Sequence, residues 1–289
     1  MGLTKNMLLL LMSSKRKRNI SLNNIVTIGR QSLHLNHNQL EACYKEFNHE
    51  KKNVDHILRD ANKFSEPFFK SLGAIQIDSI DASSYEDATI IQDMNKQIPD
   101  SLSQKFSLVL DSGTLEHVFN FPQAISNCMK LTKVGGHFIG IYPANNFFGH
   151  GFYQFSSELF YRIFNEENGF NILDMVLFID EKNPKYIAVP DTNEQYQRIQ
   201  FTNSKPVYIY VVARKNNEKQ IFDRPPLQKD YASFKWKGIR KKNAHKNKKH
   251  LKDYLPSYLK NLIKALLNKS KPDDSINFNK QYFSNYKLH

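Results

Sequence analysis

The feature that most constrains this chain is a set of short apolar segments that each stop on a carboxylate. The run Phe106–Leu110 ends at Asp111, followed by Ser-Gly-Thr. It has the composition of a strand covered on both faces, as in a parallel sheet. Ala74–Ile80 ends in the same way at Asp81, and Ala88–Ile91 stops just before Asp93. A carboxylate at the carboxyl end of a parallel strand sits where open α/β sheets bind their ligands.

Helical patterns alternate with these strands. Asn24–Ile28 is a short strand broken by Gly29-Arg30-Gln31, after which Leu40, Cys43, Tyr44 and Phe47 recur at the spacing of one helix face. A second helix is predicted around Ala61–Leu72, with Phe64, Phe68, Phe69 and Leu72 on its apolar side and Gly73 closing it. Ala124, Ile125, Cys128 and Met129 mark a third helix. Gly135-Gly136 then turns the chain into a strand at His137–Tyr142 that ends at Pro143. A Ser-capped helix at Ser157–Phe164 and strands at Phe170–Phe178 and Val207–Val212 complete the pattern. Such alternation predicts an open α/β sheet occupying residues 21–215.

Composition supports one buried core: 40% of the 289 residues are hydrophobic, with 21 Phe and 14 Tyr. The two cysteines, Cys43 and Cys128, fall inside predicted amphipathic helices and read as small buried hydrophobes in a reducing compartment. Residues 1–20 are expected to form a flexible basic arm. Its apolar run, Met7–Met12, is too short to cross a bilayer. The charges of Lys15-Arg16-Lys17-Arg18 follow that run, the reverse of a secretory signal, so the chain is expected to be cytoplasmic.

The net charge of +13 is unevenly spread, with nine Lys or Arg and no acid between Lys235 and Lys252. Residues 216–289 are therefore read as a basic tail, with an amphipathic helix near 253–268 that aligns Leu255, Leu259, Leu262, Ile263 and Leu266. Charge of this kind beside Trp236 suits nucleic-acid phosphates and bases. The helix equally suits an anionic membrane surface, or packing on the protein's own body.

The order Asp111, Leu115-Glu116-His117-Val118 and Gly135-Gly136 resembles the second half of class I S-adenosylmethionine-dependent methyltransferases. More narrowly, Asp81-Ala82-Ser83-Ser84-Tyr85-Glu86 and Gly149-His150-Gly151-Phe152-Tyr153-Gln154-Phe155-Ser156 resemble a small methyltransferase-like family of bacterial type. The resemblance covers roughly residues 21–215. It implies an open, mostly parallel, seven-stranded Rossmann-like sheet with the last strand antiparallel and helices on both faces. It also implies S-adenosyl-L-methionine as cofactor and methyl transfer to a small-molecule or sugar-like acceptor.

On this reading Gly29 belongs to the first cofactor loop, Asp81 accepts the ribose hydroxyls, and Asp93 with Met94 flanks the adenine. Asp111 joins the cofactor-binding set. The first loop departs from the family pattern, carrying Arg30 and Gln31 where relatives are usually bare. That departure keeps open a second reading, a cofactor-less methyltransferase-like scaffold or a surface-binding module using the tail. His117 and His150 are the candidate bases. The aromatic loop Asn145–Ser156 is expected to wall the acceptor pocket through His150, Tyr153 and Gln154, or else simply to anchor itself on the following helix. Some ubiquinone-pathway O-methyltransferases bind a metal through an extra Glu three positions before the Glu of Leu-Glu-His. Gly113 stands there in this chain, so no metal is expected.

Overall fold

The computed structural model describes residues 2–49, 53–191, 201–228, 277–278 and 284–289. The elements in chain order are β1 (Gly2–Leu3), α1 (Lys5–Arg18), β2 (Asn24–Ile28), β3 (Ser32–Leu33), α2 (His37–Glu46), α3 (Val54–Ala61) and α4 (Glu66–Ser71). They continue with β4 (Gln76–Asp81), β5 (Ile90–Ile91), β6 (Phe106–Ser112), α5 (Phe121–Leu131), β7 (Thr132–Asn145) and α6 (Ser157–Ile163). Then follow β8 (Phe170–Phe178), β9 (Tyr186–Ala188), β10 (Phe201–Thr202), β11 (Val207–Lys215), β12 (Asn277–Phe278) and β13 (Ser284–Asn285).

The central sheet runs β5-β4-β2-β6-β7-β11-β8, with β9 and β13 added beyond β8. The pairs from β5 to β7 are parallel, whereas β11 is antiparallel to both β7 and β8. This is the seven-stranded Rossmann-like sheet of the sequence reading, widened by two short edge strands. Period-two alternation sorts its side chains into two layers. Leu108, Leu110, Ile139, Ile141, Tyr210 and Val212 face α1–α4. Val109, Phe138, Tyr142, Ile209 and Val211 face α5 and α6. Cys43 and Cys128 are buried free thiols, one in each layer.

Two sequence expectations need correction. Residues 1–20 are not a flexible arm: α1 is buried through Asn6–Ser14 against the sheet, and β1 pairs with β3. The run Met7–Met12 is apolar on every side because both α2 and the sheet enclose it. The four basic residues occupy the helix's last turn, where cations offset the partial negative charge of its end. Arg18 adds an ion pair of 2.8 Å to the buried Asp174, and Asn19 closes the helix in left-handed conformation.

The helix expected over 61–72 is shortened to α4, with α3 ending at Ala61 before it. Asn62 and Lys63 take positive φ, and Pro67 opens α4 at a position that needs no amide donor. The end of the tail packs on the body. Residues 284–289 lie beside β9 and α1, with Ser13 donating to the Leu288 carbonyl at 2.5 Å and His289 bonding Glu46 at 2.6 Å. The expected helix near 253–268 and the basic run at 235–252 lie outside the described residues. Among the described residues no helix is long and apolar enough to cross a membrane.

Candidate functional site

The carboxyl ends of β5, β4, β2, β6 and β7 lie side by side, so five loops form one rim. Ile80, Ile28, Asp111 and Gly140 share a rung of the sheet at its base. At the centre, Gly29 turns with φ 68° and donates its amide to the Ile80 carbonyl at 2.7 Å. The Ile28 carbonyl accepts from Gln31 Nε2 at 2.8 Å and from Thr114 Oγ1 at 2.6 Å, tying the loops after β2 and β6 together. Arg30 reaches away over the Phe64 ring, bonding Glu66 at 2.7 Å and the Glu86 carbonyl at 2.9 Å.

On the β4 side the carboxylates are accessible. Asp81 is half-buried at the strand end, and Oδ1 accepts the Ser83 amide at 3.3 Å, the only bond to its carboxylate among the described residues. Asp93 accepts from the amide and the side chain of Asn95, both at 2.9 Å, and these bonds hold its carboxyl below the usual range. Met94 is 5% exposed and packs in the core with Ile80, Ile98 and Ile125. Its thioether thus belongs to the apolar layer on the α5 side of the sheet.

On the β6 side the carboxylates are sealed. Asp111 is fully buried, and its two oxygens accept the amides of Thr114 at 3.0 Å and Leu115 at 3.1 Å. It therefore shapes the loop that follows β6. Burial pushes its carboxyl up to about 6, opposed by the bonds it receives. Glu116 is 1% exposed, and its Oε2 has no hydrogen-bond partner among the described residues. Burial, with the nearby Asp111 charge, pushes it up to about 8.

The aromatic loop after β7 closes directly onto this glutamate. The Glu116 carbonyl accepts the amides of Phe152 at 2.7 Å and Tyr153 at 3.3 Å. Gly151 makes the approach possible: it has φ 72°, and a Cβ there would lie 2.8 Å from the Glu116 carbonyl oxygen. His150 is thereby delivered to the carboxylate, its Nε2 3.7 Å from Glu116 Oε1 and its ring 5.1 Å from that of His117. Burial, then the neighbouring His150, lowers the His117 pKa.

Tyr153 and Gln154 hold the loop itself. The Tyr153 hydroxyl donates to the Phe119 carbonyl at 2.6 Å, and Gln154 accepts the Phe147 amide at 2.8 Å. Phe155 is buried against Phe121, Tyr142 and Phe160, whereas Phe119, Phe148 and Phe152 remain exposed. Thus the loop is both anchored on α6 and open at its tip. The fold brings His117 and His150 together, as the sequence left unsaid, with the Glu116 carboxylate close to both. The signal for this lay in Gly151, the small residue directly after His150.

No family model and no curated protein matches this chain. Among solved structures it is similar to 1,6-didemethyltoxoflavin-N1-methyltransferase of Burkholderia thailandensis, solved with 1,6-didemethyltoxoflavin and S-adenosylhomocysteine bound. That likeness has 10% identity and a TM-score of 0.38, over 73% of this chain and 79% of that one. It is similar also to a SAM-dependent methyltransferase of Thermotoga maritima, at 11% identity and a TM-score of 0.35 over 73% and 90%. TehB of Haemophilus influenzae matches at 13% identity and a TM-score of 0.33 over 61% and 66%. Likenesses this distant say nothing of what this chain acts on.

Proposed function

We propose that this chain is an S-adenosyl-L-methionine-dependent methyltransferase acting on a small-molecule acceptor. One observation carries the reading: Asp81 ends the strand beside the Gly29 turn, half-buried and with acceptor capacity to spare. A carboxylate there suits a ribose diol, which offers two hydroxyl donors to adjacent oxygens. The cofactor, when bound, supplies a methyl group on a sulfonium that is already a good leaving group. What remains for the protein is alignment and proton removal. His117 and His150 lie across the Gly29 turn from Asp81, on the side where an acceptor would enter. Burial favours the neutral, proton-accepting form of His117. The exposed Phe119, Phe148 and Phe152 offer apolar surface at the same end.

Titration calorimetry with S-adenosylhomocysteine and S-adenosylmethionine tests this. Saturable binding that weakens at least tenfold in Asp81→Ala is expected, and no heat at millimolar ligand would sink the proposal. The alternative, a scaffold that no longer binds cofactor, draws on Arg30, which is strapped from the first loop to Glu66 and to the loop after β4. Under that alternative wild type binds nothing, and Arg30→Gly gains affinity.

A further inference from the structure

We propose that Glu116, His117 and His150 form a binding site for one divalent transition-metal cation of the zinc and cobalt class. Sequence alone paired only Glu116 with His117, which offers too few donors. The loop after β7 supplies the third. One ligand atom from each residue lies within 4.8 Å of the other two, and the Glu116–His150 pair is already at 3.7 Å. Two ligands of a single ion at about 2.0–2.2 Å stand about 3–3.5 Å apart. Both imidazoles are solvent-accessible, so modest side-chain rotations bring the set to that spacing.

A second observation points into the same place. Glu116 is 1% exposed, yet its Oε2 has no hydrogen-bond partner among the described residues, an arrangement that costs free energy unless a cation or donor meets it. The other oxygen meets no side chain on its Gly113 flank. Gly113 has φ 86°, and a Cβ there would stand 3.3 Å from Glu116 Oε1. The glycine that removes the relatives' extra carboxylate thus also clears the flank of this one. Two imidazoles and one carboxylate suit zinc, cobalt or iron better than magnesium or calcium, which prefer all-oxygen shells. Three protein ligands leave coordination positions open toward solvent.

Binding of the cation does not depend on the methyl-transfer reading; only its use does. In that use the two imidazoles would hold a Lewis acid that lowers the pKa of an acceptor hydroxyl, whose proton then passes to solvent water in place of the imidazoles.

The test is a cobalt(II) titration of the full, untagged chain, without methyl donor, followed by visible ligand-field absorption and calorimetry. One saturable equivalent is expected, displaced by zinc chloride and weakened at least tenfold in His117→Ala and in His150→Ala. His37→Ala and His56→Ala, which alter exposed histidines paired to Asp55 and Asp60, should bind as wild type does. Both site histidines are accessible, so their variants should fold, which circular dichroism checks. No saturable binding, or equal affinity in the His117 and His150 variants, overturns the proposal. Because cobalt is titrated alone, failure here is distinguishable from failure to bind S-adenosylhomocysteine.

Discussion

The two halves of the strand-end rim use the same residue type and treat it in opposite ways. Among the described residues, Asp81 and Asp93 beside β4 and β5 are accessible and bond only to their own turns. Beside β6, Asp111 and Glu116 are buried within five residues of each other, one satisfied on both oxygens and the other with one oxygen unpartnered among the described residues. A carboxylate in water can be replaced with little consequence for the fold. One that organises buried amides cannot. The β6 half is accordingly where stability and site geometry are the same problem.

The largest contrast should come from paired alanine variants. Asp111→Ala leaves the buried amides of Thr114 and Leu115 without acceptors and should cost about 3 kcal/mol in urea unfolding. Asp81→Ala should cost no more than about 0.5 kcal/mol while removing nucleoside binding. Equal losses would break the comparison.

A buried group at the other end of β7 gives a reference for an unpartnered polar side chain away from the rim. Neither ring nitrogen of His137 has a partner among the described residues, and burial, with Arg214 nearby, pushes its pKa down to about 4. An unfolded histidine titrates near pH 6.5, so between about 6.5 and 4 the unfolded chain binds the extra proton. Stability should therefore fall by about 2–3 kcal/mol as pH is lowered through that window, and no further below it. In His137→Leu this segment of the acid limb should flatten; an unchanged limb would remove His137 as its source.

Next in size is a glycine pair. Gly149 and Gly151 both have positive φ, but a Cβ at 149 meets nothing within 4 Å whereas one at 151 strikes the Glu116 carbonyl. Gly149→Ala should cost about 1 kcal/mol and Gly151→Ala about 2 or more. The second variant should also weaken cobalt binding, since it lifts His150 away. The smallest effect belongs to Arg30→Ala. Its pair with Glu66 is partly exposed and should contribute under about 1 kcal/mol, so a thermal midpoint within a few degrees of wild type is expected.

Much of this architecture was legible before any coordinates. Phe170–Phe178 appears with the predicted bounds, and the β2, β6 and β11 strands begin where the apolar runs begin. Strand ends were legible because an aspartate following a buried run marks the place where the sheet stops. The site was only half legible. Nothing local says that His150 meets Glu116, because a contact across 34 residues depends on how two loops lean. Met94 was open for a related reason: a thioether suits a ring face and a core equally, and only its packing in the core is visible from the fold. The helix α1 was missed because its apolar residues circle the whole helix and show no face. The fold supplies the reason, since neighbours enclose it on every side.

That enclosure has a consequence for how the chain comes to be folded. The Leu10 carbonyl sits under the Tyr210 hydroxyl, 200 residues later in the sequence, and Ser13 meets Leu288 across 275. At a ribosomal rate of about 5–20 residues per second, α1 waits roughly 10–40 seconds for β11 to emerge. Through that interval Met7–Met12 can be sheltered by early elements such as α2 but not by β11. Those of its core companions that lie on β11 and at residues 284–289 arrive last, so incomplete chains leave part of this helix's apolar surface exposed. Refolding of the full-length chain should accordingly be fastest at low protein concentration, and Leu9→Ser should raise the soluble yield of early intermediates even as it weakens the native state.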